Sequence, residues 1–228
     1  MDLENLSFHH THALNMANAG NVGASVKMLR QVLRGLKAYR EHVAVGGTST
    51  TPTASIVQVF SLEGHSNYED EEQALSSETG ARIFRPLLAV VENNHSQGIA
   101  TEQDLALFSF AVLFNCGVCA HLHYLQCGKA GDLKSAQAMY HLALKCLEDI
   151  DVSRSNNGTG IRCVVNQLGM YLGNNLAAAL ADAFEIKALA SCMDLFNFYL
   201  TEAECTIQWV QLNFLEWSSF HRRQAPVA

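Results

Sequence analysis

The chain has 228 residues, 49% of them hydrophobic and 16% charged, enough apolar material to bury a substantial core within one domain. Its formal net charge of -7 repels a phosphate backbone unless the basic residues gather in one place, which argues against general nucleic-acid binding. The start, Met1-Asp2-Leu3-Glu4-Asn5, has neither the basic stretch nor the apolar run of a secretory signal, and seven cysteines without paired spacing suit free thiols in a reducing compartment.

The first unit, residues 1–43, reads as a helical hairpin. Leu14, Ala17 and Asn18 share one helical face, Gly20-Asn21-Val22-Gly23 supplies a turn, and Val26, Leu29, Leu33 and Leu36 then recur at helical spacing. Residues 44–100 read as a loop-rich insertion. Within it, Val45 to Thr53 is full of glycine, threonine and proline, and Glu69-Asp70-Glu71-Glu72 lies in an acidic stretch poor in large apolar residues. Short strands are expected at 55–62, where Ile56, Val57, Val59 and Phe60 cluster, and at 81–91, where Pro86 suits an edge.

Residues 101–150 form the second hairpin. Thr101-Glu102-Gln103-Asp104 looks like a capped helix start, an almost uninterrupted apolar helix follows from Leu105, Gly128 to Asp132 makes the turn, and the return helix carries Ala136, Tyr140 and Ala143. Asn115, His121 and His123 interrupt the apolar run, which argues against a membrane span. Residues 160–201 are the third hairpin: Val164, Val165, Leu168 and Leu172 share a side, and Gly173-Asn174-Asn175 marks a break or kink before the last long helix. The remainder, 202–228, holds a strand or helix at 207–217 with Trp209 and Trp217 as core fillers, then a frayed tail.

The pattern Leu113-Phe114-Asn115 with Gly117 and His121-Leu122, then Ala136, Tyr140, Ala143 and Leu144, resembles an uncharacterised family of algal helical-repeat proteins of the tetratricopeptide kind. Arg85-Pro86-Leu87, Asn166 with Gly169, and Ala225-Pro226-Val227-Ala228 add to that resemblance. It implies a mainly α fold of antiparallel hairpins stacked in a superhelix-like array, with a general role in binding a protein or peptide. No reaction and no cofactor follow from it. More residues separate Gly117 from Ala136 than a repeat of about 34 residues allows.

Four groups of side chains are candidates for chemistry. Lys27, Arg30, Arg34 and Lys37 recur at three- and four-residue steps, with no acid between Lys27 and Arg40, and could hold an acidic peptide, serve as a solvated face, or bind the acidic stretch of the same chain. Asn115 and Asn166 stand in apolar helices, where an amide must clamp a partner's backbone or bond a neighbouring helix end. Cys116, Cys119, His123 and Cys127 share one helical stripe, but four successive turns spread over roughly 16 Å, so the stripe reads as core before it reads as a zinc site or a dithiol. His9, His10 and His12 read as surface histidines of the first helix. No nucleophile elbow or phosphate loop is present. The expectation is therefore a non-catalytic, intracellular and cytoplasmic interaction module; a subunit of a larger assembly is the alternative, and a metal or small-molecule binder using Cys116, Cys119 and His123 a lesser one.

Overall fold

A computed structural model describes residues 3–44, 57–58, 89–90, 102–150 and 158–202. The described part is mainly helical, with α1 Leu3–Asn18, α2 Val22–Ala44, α3 Glu102–Cys127, α4 Ala130–Glu148, α5 Gly158–Asp182 and α6 Ile186–Glu202. Two short strands, β1 Val57–Gln58 and β2 Ala89–Val90, pair antiparallel with Val57 opposite Val90 and Gln58 opposite Ala89. The rest of the expected strands at 55–62 and 81–91, the segment 207–217 with its two tryptophans, and the acidic run 69–72 lie outside the described residues. The chain divides into two compact units, one built on α1 to α4 and the other on α5 and α6.

In the first unit, α1 packs on α2, α2 on α3, and α3 on α4. Helix α3 is the centre of that unit, and its composition explains why. It is apolar nearly all round, and Phe108, Phe110, Val112, Phe114, Val118 and Ala120 are all buried, the pattern of a helix enclosed by neighbours. By length and composition Leu105–Cys127 could cross a membrane, yet 89% of its apolar window is buried within the protein. Of the polar residues that interrupt it, Asn115 and His121 are buried too, Asn115 against His10 and His121 edge-on against the ring of Tyr140, while His123 is half-buried.

The α1–α2 turn is set by backbone hydrogen bonds at the end of α1. The Asn21 N–H donates to the Met16 carbonyl at 2.9 Å and the Gly20 N–H to the Ala17 carbonyl at 3.0 Å, with Gly20 at φ 81°. This paired closure satisfies carbonyls that the helix end leaves over, and it needs a left-handed residue at its centre. The α5–α6 turn has the same closure. The Glu185 N–H reaches the Leu180 carbonyl at 2.9 Å and the Phe184 N–H the Ala181 carbonyl at 3.0 Å, but the left-handed position is held by Phe184, at φ 56°.

The expected interruption at Gly173-Asn174-Asn175 is not where α5 ends: the helix runs through those residues to Asp182. Gly173 serves packing instead. A Cβ there would stand 3.0 Å from the Cβ of Phe196 and 3.1 Å from its Cα, so the missing side chain lets α6 approach the backbone of α5. Asn174 and Asn175 are fully buried and bonded to each other, Asn174 Nδ2 donating to Asn175 Oδ1 at 3.1 Å.

The α3–α4 and α5–α6 hairpins each have a glycine that receives a tyrosine ring. A Cβ on Gly117 of α3 would come within 2.5 Å of Tyr140 Cε1 of α4, and one on Gly169 of α5 would overlap the ring of Tyr199 of α6. Tyr140 is fully buried, so its ring cannot swing away. Gly117→Ala should therefore destabilise the protein by about 1–3 kcal/mol through overpacking. Gly131→Ala, at an open position in the first turn of α4, should be neutral or stabilise by up to about 1 kcal/mol through helix propensity. Urea denaturation followed by circular dichroism checks both. Phe184 is 66% exposed, so replacing it removes strain and little packing. Phe184→Gly should raise stability by about 1 kcal/mol in the same assay.

Candidate functional site

Helix α2 turns its apolar line, Val22, Val26, Leu29, Val32, Leu36 and Tyr39, inward, and Leu33 sits at the edge of that line, half-buried. The opposite face carries Lys27, Arg30, Arg34 and Lys37, all exposed, with Arg40 exposed beyond them. The four cations thus share an open surface, as their spacing predicts. They are not equally free to serve a partner. The Arg30 guanidinium donates from Nη2 to Ser135 Oγ of α4 at 2.9 Å, so it ties α2 to α4. Lys37 has Glu41 at 3.9 Å, but both side chains are more than two-thirds exposed (80% and 67%), and such a pair contributes little. Lys27 and Arg34 are the cations most available to an acidic ligand.

Both candidate asparagines turn out to serve helix contacts. Asn115 is fully buried, and its Nδ2 donates to His10 Nε2 of α1 at 2.9 Å. Asn166 donates from Nδ2 to the carbonyl of Glu202 at 3.0 Å, satisfying a group that the end of α6 leaves over, and Arg162 reinforces the spot through Glu202 Oε2 at 3.3 Å.

His10 corrects the expectation of three surface histidines. His12 is exposed and His9 half-buried, but His10 is fully buried in line with Leu3, Leu6, Ala13 and Leu14, because its position recurs with that apolar face. Its ring meets Phe108 edge-on with centroids 5.7 Å apart, and burial pushes its pKa down to about 4. The imidazole is therefore neutral at physiological pH, as an acceptor for Asn115 must be.

The cysteine stripe of α3 divides by depth. Cys116 and Cys119 are fully buried toward α2, with the Cys119 sulfur 3.5 Å from Ser25 Oγ. Burial pushes their thiols up to about 11 and about 12, so both are inert protonated core groups. Farther along, His123 stands where α3 leaves the core. Its Nδ1 is 2.8 Å from Asp132 Oδ2 in the first turn of α4, and its Nε2 is 3.6 Å from the exposed Cys127 sulfur. The carboxylate and the thiol lie on opposite edges of the ring, so one ion could not take all three. Among the described residues no group of three histidine, cysteine or acidic side chains is arranged to hold a metal. The sequence shows the i, i+4 relation of His123 and Cys127, but Asp132 joins them only through the hairpin turn, a pairing that helical periodicity does not reveal.

A pH dependence follows from His10. The unfolded imidazole, with a pKa near 6.5, takes up a proton before the folded one at about 4, so the stability present at neutral pH declines as pH falls from about 6.5 toward 4. Between pH 7.5 and 5 the wild type should lose about 2 kcal/mol more than His10→Gln, which keeps an acceptor for Asn115 without titrating. Urea midpoints at the two pH values measure the difference, and equal losses would refute it.

Compared with models of protein families, with curated proteins and with solved structures, the chain matches none.

Proposed function

We propose that the protein is a non-catalytic interaction module whose three hairpins, α1–α2, α3–α4 and α5–α6, are tetratricopeptide-like repeats and whose partner is an acidic protein or peptide. The observation that carries this reading is the exposed row Lys27, Arg30, Arg34 and Lys37 on α2 of a chain whose net charge is -7. Concentrating cations on one helix face against an overall negative field is useful for steering and orienting an acidic ligand. Support for the repeat comes from features within the hairpins: the same turn closure after α1 and after α5, and a glycine facing a tyrosine in both α3–α4 and α5–α6. Cys116, Cys119, Cys127, Cys146 and Cys192 are free thiols, which fits a reducing intracellular setting.

A second reading, a subunit of a larger assembly, is favoured by exposed large apolar side chains: Phe8 is 68% exposed and Phe198 54%. Its mark is self-association or co-purification independent of the α2 cations.

Lys27→Glu with Arg34→Glu tests the strip while leaving the Arg30 to Ser135 bond in place. Binding of a fluorescein-labelled glutamate-rich peptide, read by anisotropy, should weaken about tenfold or more in the double variant and fall with added salt in the wild type. A peptide of residues 63–80 in the same assay asks whether the chain's own acidic stretch competes for the surface. Unchanged binding of both peptides, with unchanged circular dichroism, would remove the strip as the docking site.

A further inference from the structure

The corner formed by the end of α3 and the start of α4 assembles three side chains that the interaction reading leaves unused. Asp132 Oδ2 lies 2.8 Å from His123 Nδ1, and Cys127 Sγ lies 3.6 Å from His123 Nε2. With the carboxylate accepting from Nδ1–H, the ring's proton is held on that edge and Nε2 is left as a base directed at the thiol. This is the arrangement of a nucleophile, a base and a residue that orients the base. The imidazole and the carboxylate are each about three-quarters buried, at 25% and 22% side-chain exposure, whereas Cys127 is exposed. The pair is thus held in the structure while its sulfur faces solvent.

We propose that Cys127 is a nucleophilic thiol that exchanges with low-molecular-weight disulfides, accepting one half as a mixed disulfide. Cys127 closes α3, and the C-terminal end of a helix disfavours an anion, so the stabilisation that a thiolate needs there comes from the imidazolium formed when His123 takes the proton. In the exchange, His123 Nε2 takes the Cys127 proton and the thiolate attacks one sulfur of the disulfide. A new S–S bond forms, the old one breaks, and the departing thiolate takes the proton back from His123. Asp132 is a positioning residue: it touches neither sulfur and acts by fixing the ring.

The N–H of Gly128, the residue after Cys127, is committed to the Tyr124 carbonyl at 2.7 Å and offers nothing to an oxyanion beside the sulfur. Disulfide exchange needs only a thiolate, a proton carrier and access. Of the other described cysteines in this unit, Cys116 and Cys119 are buried and Cys146 stands roughly 20 Å farther along α4, so none of the three can resolve a mixed disulfide at the corner. With respect to them the adduct awaits an external thiol, and the process is a stoichiometric modification of one site. Helix α2 presents uncharged Gly23 to the ring, where a Cβ would stand 3.4 Å from Nε2, and the exposed Lys129 is the other charged residue of the turn.

Oxidised glutathione incubated with the full chain, with peptide mass mapping over time, tests the proposal. Cys127 should gain a glutathionyl group first, and about tenfold faster than the cysteine of a free peptide of residues 124–130, which has the same sequence but lacks the His123 and Asp132 pair. His123→Gln should slow the reaction about tenfold. Asp132→Asn should slow it less, and both substitutions should move the rise of rate with pH to higher pH. A merely structural role for Asp132 would leave that profile in place. A rate at Cys127 equal to or below that of the peptide would overturn the proposal even if neither variant folds, and so would a His123→Gln protein that reacts as fast as the wild type.

Discussion

A hydrogen atom in place of a side chain at Gly117 allows the ring of Tyr140 to lie against the backbone of α3, and much of the first unit follows from that contact. The ring is fully buried, with Phe114 and His121 around it at centroid distances of 6.1 and 6.4 Å. Fixing one pair of residues across two antiparallel helices fixes the register of all the others. From Gly117 and Tyr140 toward the turn, that register brings His123 opposite Asp132, which is the pairing found there. The chemistry at the corner thus depends on a packing contact two turns away. Gly169 and Tyr199 do the same for α5 and α6, and their register brings Asn166 to the carbonyl of Glu202.

What the sequence reveals depends on whether a feature is local. Helices α1 to α4 are legible because apolar residues recur once per turn and because Gly20 and Gly128, both at positive φ, mark real turns. The α5–α6 turn is hidden because Phe184 occupies the left-handed position that glycine holds in the other two. An aromatic residue gives no breaker signal, so the eye moves to Gly173-Asn174-Asn175, where the glycine serves close packing and the amides bond each other. His10 is hidden for a related reason. Its polarity suggests surface, but its position lies on the apolar line of α1, and Asn115 supplies a hydrogen bond to Nε2 that offsets part of the desolvation.

The candidate site shows the same division. The exposure of Lys27, Arg30, Arg34 and Lys37 follows directly from helical periodicity, since the apolar line of α2 claims the other face. That Arg30 is anchored to Ser135, leaving Lys27 and Arg34 as the freer cations, depends on a residue more than a hundred positions away and is invisible to spacing. The asparagines yield to the same long-range logic. An amide in an apolar helix must bond something, and the nearest available groups were those of neighbouring helices, at little cost in ordering.

The cysteines of α3 show how depth assigns chemistry to one residue type. Cys116, Cys119, His123 and Cys127 form a single stripe, and a straight helix carries that stripe from the core to the solvent. Where it is enclosed, desolvation raises the thiols to about 11 and about 12, and they become small apolar fillers between helices. Where α3 emerges, the next turn of the chain supplies Asp132, and the same stripe ends in a base held beside an accessible sulfur. Spacing alone cannot separate these fates, because periodicity describes direction around a helix and says nothing of distance from its end. The separation is made by how far along α3 the covering helices reach, and the register that Gly117 and Tyr140 impose decides which residue of α4 meets the uncovered end.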